Sequence, residues 1–287
     1  NRKKHSGDLN VSATGFGAFF EGPFSKNSSY IVSVRRSYYE LIKDLLTTQL
    51  IPEYWDFNAK ISYDLSKSDK ISFTGLYATD NAKPIEAGDF MYDTINVKIL
   101  SSGFRYDKEG NGFKYRLVAG YSWNLYKVNY RDFNLDINDN EISFNQKLDF
   151  IINRNLALSV FTGARNFFSK YIVNHGSGFN ASNFYTPAVS FDNDIRTLKL
   201  SGGFNFTLKL FSSKLIVNAG IRADAFQLIN NKLVFSPRVG LTYKLTPITT
   251  LNLNAGVYFQ APEMLWVLVD PENRNLSYIK VNELVIG

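Results

Sequence analysis

The 287-residue sequence contains no cysteine and only two histidines, His5 and His175. Without cysteine, the chain can form no disulfide, no thiolate metal site and no cysteine nucleophile. The two histidines lie far apart in sequence, so neither a histidine metal pair nor a Ser-His catalytic base is indicated. We therefore expect a protein that is not an enzyme and that has no metal centre and no cofactor.

The sequence also lacks long apolar runs, since the longest is MLWVLV at residues 264–269. A helix that crosses a membrane needs about 20 such residues, which excludes helical membrane insertion. The first ten residues have no apolar stretch after their basic residues, so they do not predict a signal peptide. Because no low-complexity linker is present, we expect a single domain over residues 1–287.

The positive charge of the chain is not concentrated in one region. Lys and Arg number 32 against 26 Asp and Glu, for a net charge of +6, but the basic residues are scattered and interleaved with acids. Nucleic-acid binding is indicated by basic residues that cluster. We therefore expect no nucleic-acid partner.

The dominant feature of the sequence is alternation of apolar and polar residues. The stretch YWDFNAKISYDL at residues 54–65 is an unbroken example, and it predicts a two-faced β-strand. The pattern recurs along the chain, most extensively at residues 113–130, and predicts about thirteen strands. Soluble strands average about 5–6 residues, whereas a tilted strand crossing a bilayer needs about 9–11, so the long strands favour a membrane crossing.

The connections between the strands alternate in length, except that the connection at residues 225–232 is short. Tight turns are predicted at residues 66–69, 108–112, 153–155, 212–213 and 246–249. Longer connections are predicted at residues 39–53, 81–92, 131–140, 168–194 and 260–280, with a short helix at residues 39–50 in the first of them. Short turns on one side and long loops on the other are typical of a membrane barrel.

These observations predict an all-β fold, an antiparallel transmembrane β-barrel of the up-and-down type. Lipid would cover the apolar faces, and the polar faces, rich in Lys, Arg, Asp, Asn and Gly, would line a wet lumen. A soluble β-sandwich explains the alternation equally well, but it accounts less well for the long strands and the one-sided loops.

The segment DINDNE at residues 136–141 resembles the start of a calcium-binding loop. Asp136, Asn138 and Asn140 occupy positions one, three and five, but Glu141 replaces the glycine at position six and Lys147 stands at position twelve. The segment therefore fails as an EF-hand. An irregular calcium site and a solvated loop are the two remaining interpretations.

Two regions resemble a known family. The first contains Glu-Gly-Pro at residues 21–23 and Arg-Arg-Ser-Tyr at residues 35–38. The second contains Ser-Pro-Arg at 236–238, Thr-Pro at 246–247 and Gln-Ala-Pro-Glu at 260–263, in that order. Both resemble the barrel of TonB-dependent outer-membrane receptors.

The resemblance implies a barrel of about 22 strands that is filled by an N-terminal plug domain. Such a receptor would lie in the bacterial outer membrane, bind a small scarce nutrient and import it with energy from a TonB-type coupling protein. The plug, the remaining strands and a C-terminal aromatic residue are missing from the sequence, so we expect a partial barrel.

The resemblance also suggests two sets of site residues. Ligand-facing loops would contain Tyr38, Tyr39, Gln260, Glu263 and Trp266, although aromatic residues there could instead anchor the barrel at the lipid headgroups. The lumen would present arginines to plug carboxylates, because guanidinium forms bidentate pairs, or would leave them hydrated. These arginines are Arg35, Arg116, Arg222 and Arg238.

Two other functions remain open at this level. The first is a passive outer-membrane porin, and the second is a soluble β-sandwich binding module. The sequence does not distinguish siderophore, cobalamin, sugar and peptide as the transported substrate.

Overall fold

The computed structural model describes residues 4–39, 41–42, 50–84, 94–130, 133–179, 185–186 and 188–287. Within these residues, fourteen strands form one antiparallel sheet in which each strand pairs with its neighbours along the chain. The first seven are β1 (Ser6–Val11), β2 (Gly15–Ser25), β3 (Ser28–Ser37), β4 (Leu50–Asp64), β5 (Asp69–Pro84), β6 (Thr94–Gly110) and β7 (Phe113–Tyr130).

The second half of the chain continues the same sheet. Its strands are β8 (Phe133–Ile151), β9 (Leu156–His175), β12 (Val189–Leu210), β13 (Leu215–Phe226), β14 (Leu233–Lys244), β15 (Thr250–Gln260) and β16 (Ile279–Ile286). Two short strands, β10 (Gly178–Phe179) and β11 (Tyr185–Thr186), pair with each other between β9 and β12. Helix α1 (Met264–Val269) and a 3-10 helix (Pro271–Asn275) lie between β15 and β16.

The sequence pattern predicted this architecture closely. An up-and-down antiparallel sheet confirms the predicted fold class, and the sheet has fourteen strands where about thirteen were expected. Strand β7 has the predicted bounds at residues 113–130. A sandwich would require two packed sheets, whereas every described strand longer than two residues belongs to one sheet.

The register aligns like residues across neighbouring strands. Phe57 of β4 lies opposite Val34 of β3 and Tyr77 of β5, which forms an apolar row on one face. One residue away, Asp56 lies opposite Arg35 on the other face. We call these two sides of each strand the apolar face and the polar face. Because side chains alternate with a period of two, this register keeps the two faces separate across the strands.

The apolar face is uncovered in the part of the chain that the structure describes. Phe57 and Ile61 are each 46% exposed, and many other large apolar side chains of the strands are also exposed. A soluble protein rarely leaves so extensive an apolar surface open to water. This exposure is the arrangement expected for strands whose apolar face meets lipid.

Several strands are longer than the sequence predicted. Residues 131–140 were expected to be a long connection, but β8 begins at Phe133. The strand includes residues 136–141, which resembled the start of a calcium-binding loop. Likewise, the connection expected at 168–194 is shorter, because β9 continues to His175 and β12 begins at Val189. Both predictions of loop length were wrong.

Polar cross-strand contacts with β7 explain the extension of β8. The Lys127 ammonium lies 2.9 Å from the Asp136 carboxylate. The Trp123 indole donates to Asn138 at 2.8 Å, and the Tyr121 hydroxyl donates to Asn140 at 2.9 Å. The side chains that resembled calcium ligands therefore stabilise the pairing of β7 with β8. The strand continues through this segment although its residues are mostly polar.

The predicted turns are confirmed where the structure describes them. Leu65 donates to the Asp69 carbonyl across the turn that follows β4, and Ile152 donates to the Leu156 carbonyl after β8. Between β6 and β7, Gly112 has φ of 80°, a conformation that glycine adopts without steric cost. Of the predicted helix at residues 39–50, the structure describes only Tyr39, Leu41, Ile42 and Leu50, so most of it lies outside the described residues.

The chain divides into two compact units, which we describe separately. The first contains Asn1–Arg105, Ala119–Ile142 and Phe167–Arg196, and the second contains Tyr106–Val118, Ser143–Asn166 and Thr197–Gly287. In the first unit, alternate residues of β9 from Phe167 to Val173 are buried. In the second unit, buried apolar residues gather around α1 and the β13–β14 connection, and they include Phe226, Ile229 and Val267.

None of the helices in the described ranges is both long enough and apolar enough to span a membrane.

The facing of the strands can be tested with one pair of substitutions in β4. Ile61→Arg places a charge on the apolar face and should cost about 2–4 kcal/mol near the middle of a bilayer. Lys60→Glu changes a charge on the polar face and should cost far less. Urea unfolding of the full-length protein in lipid vesicles measures both values, and equal destabilisation by the two variants would contradict the assignment.

Candidate functional site

The first predicted arginine, Arg35, is paired within the sheet. Its Nε lies 3.1 and 2.9 Å from the two carboxylate oxygens of Asp56, the residue directly opposite on β4. Asp56 is buried and also accepts from the Asn58 amide at 3.1 Å. The Asp56 carboxylate therefore holds Arg35 in a defined position on the polar face.

Two further predicted arginines are also paired within the second unit. Arg116 Nε lies 2.8 Å from Asp107 Oδ1. Arg222 makes two hydrogen bonds to Asp224, from Nε and from Nη2, each of 2.7 Å. Bidentate pairs of this kind fix the plane of the guanidinium as well as its charge. Their contact with a plug stays a prediction.

The fourth predicted arginine, Arg238, has a different environment. Its guanidinium carbon lies 4.8 Å from the centre of the Tyr258 ring, within the range of a cation–π interaction. Arg238 and Tyr258 line a recess of about 360 Å³, whose other polar side chains are Asn205, Asn218 and Asn254. The recess contains no carboxylate among its described lining residues.

A second cavity of the second unit is lined by five basic side chains, and we call it the basic cavity. It has a volume of about 360 Å³ and lies on the polar faces of β7, β8, β9, β12 and β13. Its basic residues are Arg116, Lys147, Arg165, Lys199 and Arg222. The sequence analysis named two of them, Arg116 and Arg222, as plug-facing, but it did not predict that the five would line one cavity.

Neighbouring groups hold three members of the basic cavity in place. Lys147 Nζ lies 2.8 Å from Asp149 Oδ1, and Asp149 also accepts from the Ser159 hydroxyl. Lys199 Nζ lies 4.3 Å from the centre of the buried Phe226 ring. Arg222 lies 5.9 Å from the Phe161 ring. The basic groups are therefore positioned by contacts and are not simply extended into solvent.

The predicted ligand residues at the β3 end belong to the first unit. The Tyr38 hydroxyl lies 2.8 Å from the Ser12 carbonyl and 2.9 Å from the Gly15 carbonyl, so it ties the end of β3 to the β1–β2 turn. Tyr39 follows in a short 3-10 turn. The hydroxyl of Tyr38 is thus engaged as a donor by the backbone.

The other predicted ligand residues lie in the β15–β16 loop of the second unit. Gln260 ends β15 opposite Ile279, and Glu263 precedes α1 without a side-chain capping bond. Trp266 is on α1 and is 62% exposed. Among these three residues, Trp266 presents the largest apolar surface to solvent, which suits an aromatic ligand contact.

The folded base of this loop was not predicted. Met264 and Val267 are buried on one side of α1, three residues apart, and this helical spacing within MLWVLV was the available signal. The loop is tied to the β13–β14 connection, because Asn230 donates to the Arg274 carbonyl at 2.8 Å and to Asn275 Oδ1 at 2.7 Å.

Tyr278, immediately before β16, packs at the same end of the β15–β16 loop. Its hydroxyl donates to the Lys232 carbonyl at 3.1 Å, and its ring packs edge-on against Phe259. Burial raises the pKa of the Tyr278 hydroxyl, and the negative charge of Asp224 adds to the rise. The hydroxyl therefore remains a donor up to a higher pH than an exposed tyrosine would.

Metal binding has no support in the described residues, where no three His, Cys, Asp or Glu side chains come together in a group that could hold an ion.

The long amphipathic strands of one up-and-down sheet define the class of outer-membrane-type β-barrels. The family model of the TonB dependent receptor-like β-barrel matches residues 72–277, which is more than half of the chain. The chain therefore belongs to this family, as the motifs at its two ends indicated. No curated protein matches the sequence.

Solved structures of low sequence identity share the fold. The siderophore receptor PirA from Acinetobacter baumannii is 15% identical with a TM-score of 0.65, and the match covers 90% of this chain and 42% of that one. FpvA from P. aeruginosa, solved with pyoverdines, is 12% identical with a TM-score of 0.71, and coverage is 99% and 45%. The chain thus spans less than half the length of these relatives.

A third structure is the outer membrane transporter YddB from Escherichia coli. It is 12% identical with a TM-score of 0.62, and the match covers 86% of this chain and 38% of YddB.

Two adjacent residues of α1 test whether one side of the β15–β16 loop is packed and the other is free. Val267 is buried and Trp266 is exposed. Val267→Asp buries a charge where the native side chain is 2% exposed, and should raise amide hydrogen exchange across residues 264–278 at least about tenfold. Trp266→Ala removes an exposed ring and should leave exchange unchanged. Mass spectrometry of the full-length protein measures both, and similar exchange in the two variants would contradict the buried base.

Proposed function

We propose that this chain is the barrel portion of an outer-membrane active-transport receptor. The receptor binds a scarce nutrient at its extracellular loops and imports it with energy relayed by a TonB-type protein. The observation that carries the proposal is the family match over residues 72–277, on a sheet whose strands are long and two-faced. The family is one of transport receptors and not of enzymes.

Lipid of the bacterial outer membrane is the proposed partner of the apolar face. Homologous receptors are outer-membrane proteins, and the exposed row that includes Phe57 and Ile61 supports the same location for this chain. Contact of these apolar side chains with hydrocarbon is favourable, whereas their exposure to water costs free energy. The polar face then lines the lumen.

The full-length protein is proposed to carry a plug domain within that lumen. Among the four predicted plug contacts, Arg238 is the best supported, because its recess contains three amides and no carboxylate among the described lining residues. Arg35, Arg116 and Arg222 each pair with an aspartate of the barrel. A plug carboxylate would have to compete with those aspartates, but not at Arg238.

The proposed ligand surface is formed by the loops that contain Tyr38, Tyr39, Gln260, Glu263 and Trp266. Exposed Trp266 on the folded β15–β16 loop is its strongest member. Ferric siderophores are the first ligands to test, because PirA is named as a siderophore receptor and FpvA was solved with pyoverdines.

Energy dependence provides the direct test of active transport. Cells that express the full-length protein should take up ⁵⁵Fe-labelled pyoverdine or enterobactin, and uptake should fall to background when the TonB-type protein is deleted. Trp266→Ala should weaken uptake, whereas Lys60→Gln, at an exposed site on the polar face of β4, should not. Uptake that persists without the TonB-type protein would contradict the proposal.

A passive porin is the alternative function, and it makes a different electrical prediction. A barrel filled by a plug should show little steady conductance when the full-length protein is inserted into a planar bilayer. An open porin should conduct continuously, and such conductance would favour the alternative.

A further inference from the structure

We propose that a cleft on the outer wall of the first unit binds the sugar headgroup of a membrane glycolipid. The cleft, which we call the outer cleft, has a volume of about 590 Å³ and is formed by β8, β9 and β12. The inference rests on the assignment of the apolar face to lipid, and it concerns a site outside the transport path. The side chains of the cleft that reach solvent are Asn138, Asn140, Phe168, Lys170, Asp194 and Arg196.

Contacts with β7 show on which side of the sheet the outer cleft lies. Asn138 accepts a hydrogen bond from Trp123 at 2.8 Å, and Asn140 accepts one from Tyr121 at 2.9 Å. Tyr121 and Trp123 belong to the alternating apolar residues of β7, so the two amides are on the same side of the sheet as the apolar face. The outer cleft therefore opens to the outside of the barrel and not to the lumen.

On this side, two strands change from polar to apolar residues next to each other. The change falls between Asn140 and Ile142 in β8, and between Arg196 and Leu198 in β12. Asn140 and Arg196 line the same cleft, so the two changes lie at the same level. Ile142 is 51% exposed, and Leu200, the next residue of β12 on this side, is 46% exposed. The polar residues of the cleft thus border directly on the surface assigned to lipid.

The length of the apolar stretch indicates that this border is the edge of the hydrocarbon. From Ile142 to its end at Ile151, β8 has ten residues, and a tilted strand crosses the hydrocarbon with about 9–11. Trp and Tyr collect at the boundary between hydrocarbon and headgroups, as Tyr121 and Trp123 do beside the cleft. The outer cleft therefore lies at the level of the lipid headgroups.

The connections of β8 and β9 indicate which leaflet supplies those headgroups. The tight turn at residues 152–155 joins the ends of these strands that are far from the cleft. The cleft is at the other end, near the longer connection between β9 and β12. Because barrels of this type turn their longer loops to the outside of the cell, the cleft faces the outer leaflet.

The side chains of the outer cleft combine donors, acceptors and a ring. Lys170 and Arg196 supply charged donors, Asp194 supplies a carboxylate, and Phe168 supplies a partly exposed aromatic ring. Lys170 Nζ also lies 3.2 Å from Asp192 Oδ1. These two basic and two acidic side chains have no net formal charge. The cleft therefore suits a ligand with many hydroxyl groups better than a multiply charged anion.

A sugar ring has the properties that this cleft would recognise. Its hydroxyls both donate and accept hydrogen bonds, and its C–H groups pack against an aromatic ring such as Phe168. The amides are held in place, since Asn138 Oδ1 accepts from Trp123 and also from the Asn140 amide at 3.2 Å. Groups fixed in advance lose less freedom on binding. The volume falls within the range of about 300–1,000 Å³ for small-molecule sites.

A glycolipid is the source of sugar that the position of the cleft favours. Its acyl chains would pack against the apolar face next to the cleft, where Ile142 and Leu200 are exposed. The burial of these chains adds to the affinity of the headgroup, whereas a free sugar has no such contact. We therefore expect the lipid-linked sugar to bind and the free sugar to bind much more weakly.

Native mass spectrometry of the full-length protein tests the ligand class with two lipids that each carry one phosphate. Monophosphoryl lipid A has a disaccharide headgroup, and phosphatidylglycerol has no sugar. Monophosphoryl lipid A should bind about tenfold more tightly, equivalent to about 1.4 kcal/mol. Equal affinity for the two lipids, or equal affinity for lipid A and its deacylated disaccharide, would overturn the proposal.

Three substitutions of exposed residues test whether the outer cleft is the site. Arg196→Gln removes a charged donor and should weaken lipid A binding about tenfold. Asp194→Asn should also weaken it, because a charged acceptor of sugar hydroxyls is lost, whereas a site for phosphate alone would bind more tightly without the carboxylate. Lys209→Gln, on the polar face of β12, should leave the affinity unchanged. Circular dichroism checks that each variant is folded.

Tighter binding by Asp194→Asn, or equal effects of Arg196→Gln and Lys209→Gln, would contradict a sugar site in the outer cleft. Energy-dependent uptake is a separate measurement on the same protein. Uptake that persists without specific lipid A binding would overturn this inference and leave the proposed function standing, so the two failures are distinguishable.

Discussion

The hydrogen bond between neighbouring strands is the interaction on which the rest of this structure depends. Inside hydrocarbon a backbone amide or carbonyl finds no water, so it must pair with another strand. The sheet meets this requirement with long antiparallel ladders, as in the fifteen paired positions from Leu50 to Asp64 of β4. Because pairing fixes the register, it also fixes which side chains face each side, as the aligned rows at Phe57 and Asp56 illustrate.

The two faces of the sheet meet different physical requirements. The apolar face needs only surface that lipid can cover, and its side chains are exposed in the protein itself. The polar face must satisfy its charges, and three of its arginines do so with aspartates nearby in the barrel. The polar face also presents the five basic side chains of the basic cavity and the guanidinium of Arg238.

The sequence was informative wherever structure follows a period of two. Alternation located the strands and the polar positions of Arg35, Arg116, Arg222 and Arg238, and Gly112 marked a turn. It was uninformative where polar residues on both faces continue a strand, as at Asp136 to Asn140, because the cross-strand bonds that keep that segment paired involve residues distant in sequence. The convergence of five basic residues and the buried base of the β15–β16 loop likewise depend on contacts between separate strands, which periodicity does not reveal.

Single-cysteine scanning of β4 tests most directly whether its two faces meet lipid and water. The sequence has no cysteine, so Phe57→Cys, Asn58→Cys, Lys60→Cys and Ile61→Cys each introduce one label site into this part of the full-length protein. A polar maleimide should label positions 58 and 60 in outer-membrane vesicles, and a lipid-soluble quencher should reach labels at 57 and 61. Equal water accessibility at all four positions would contradict this account.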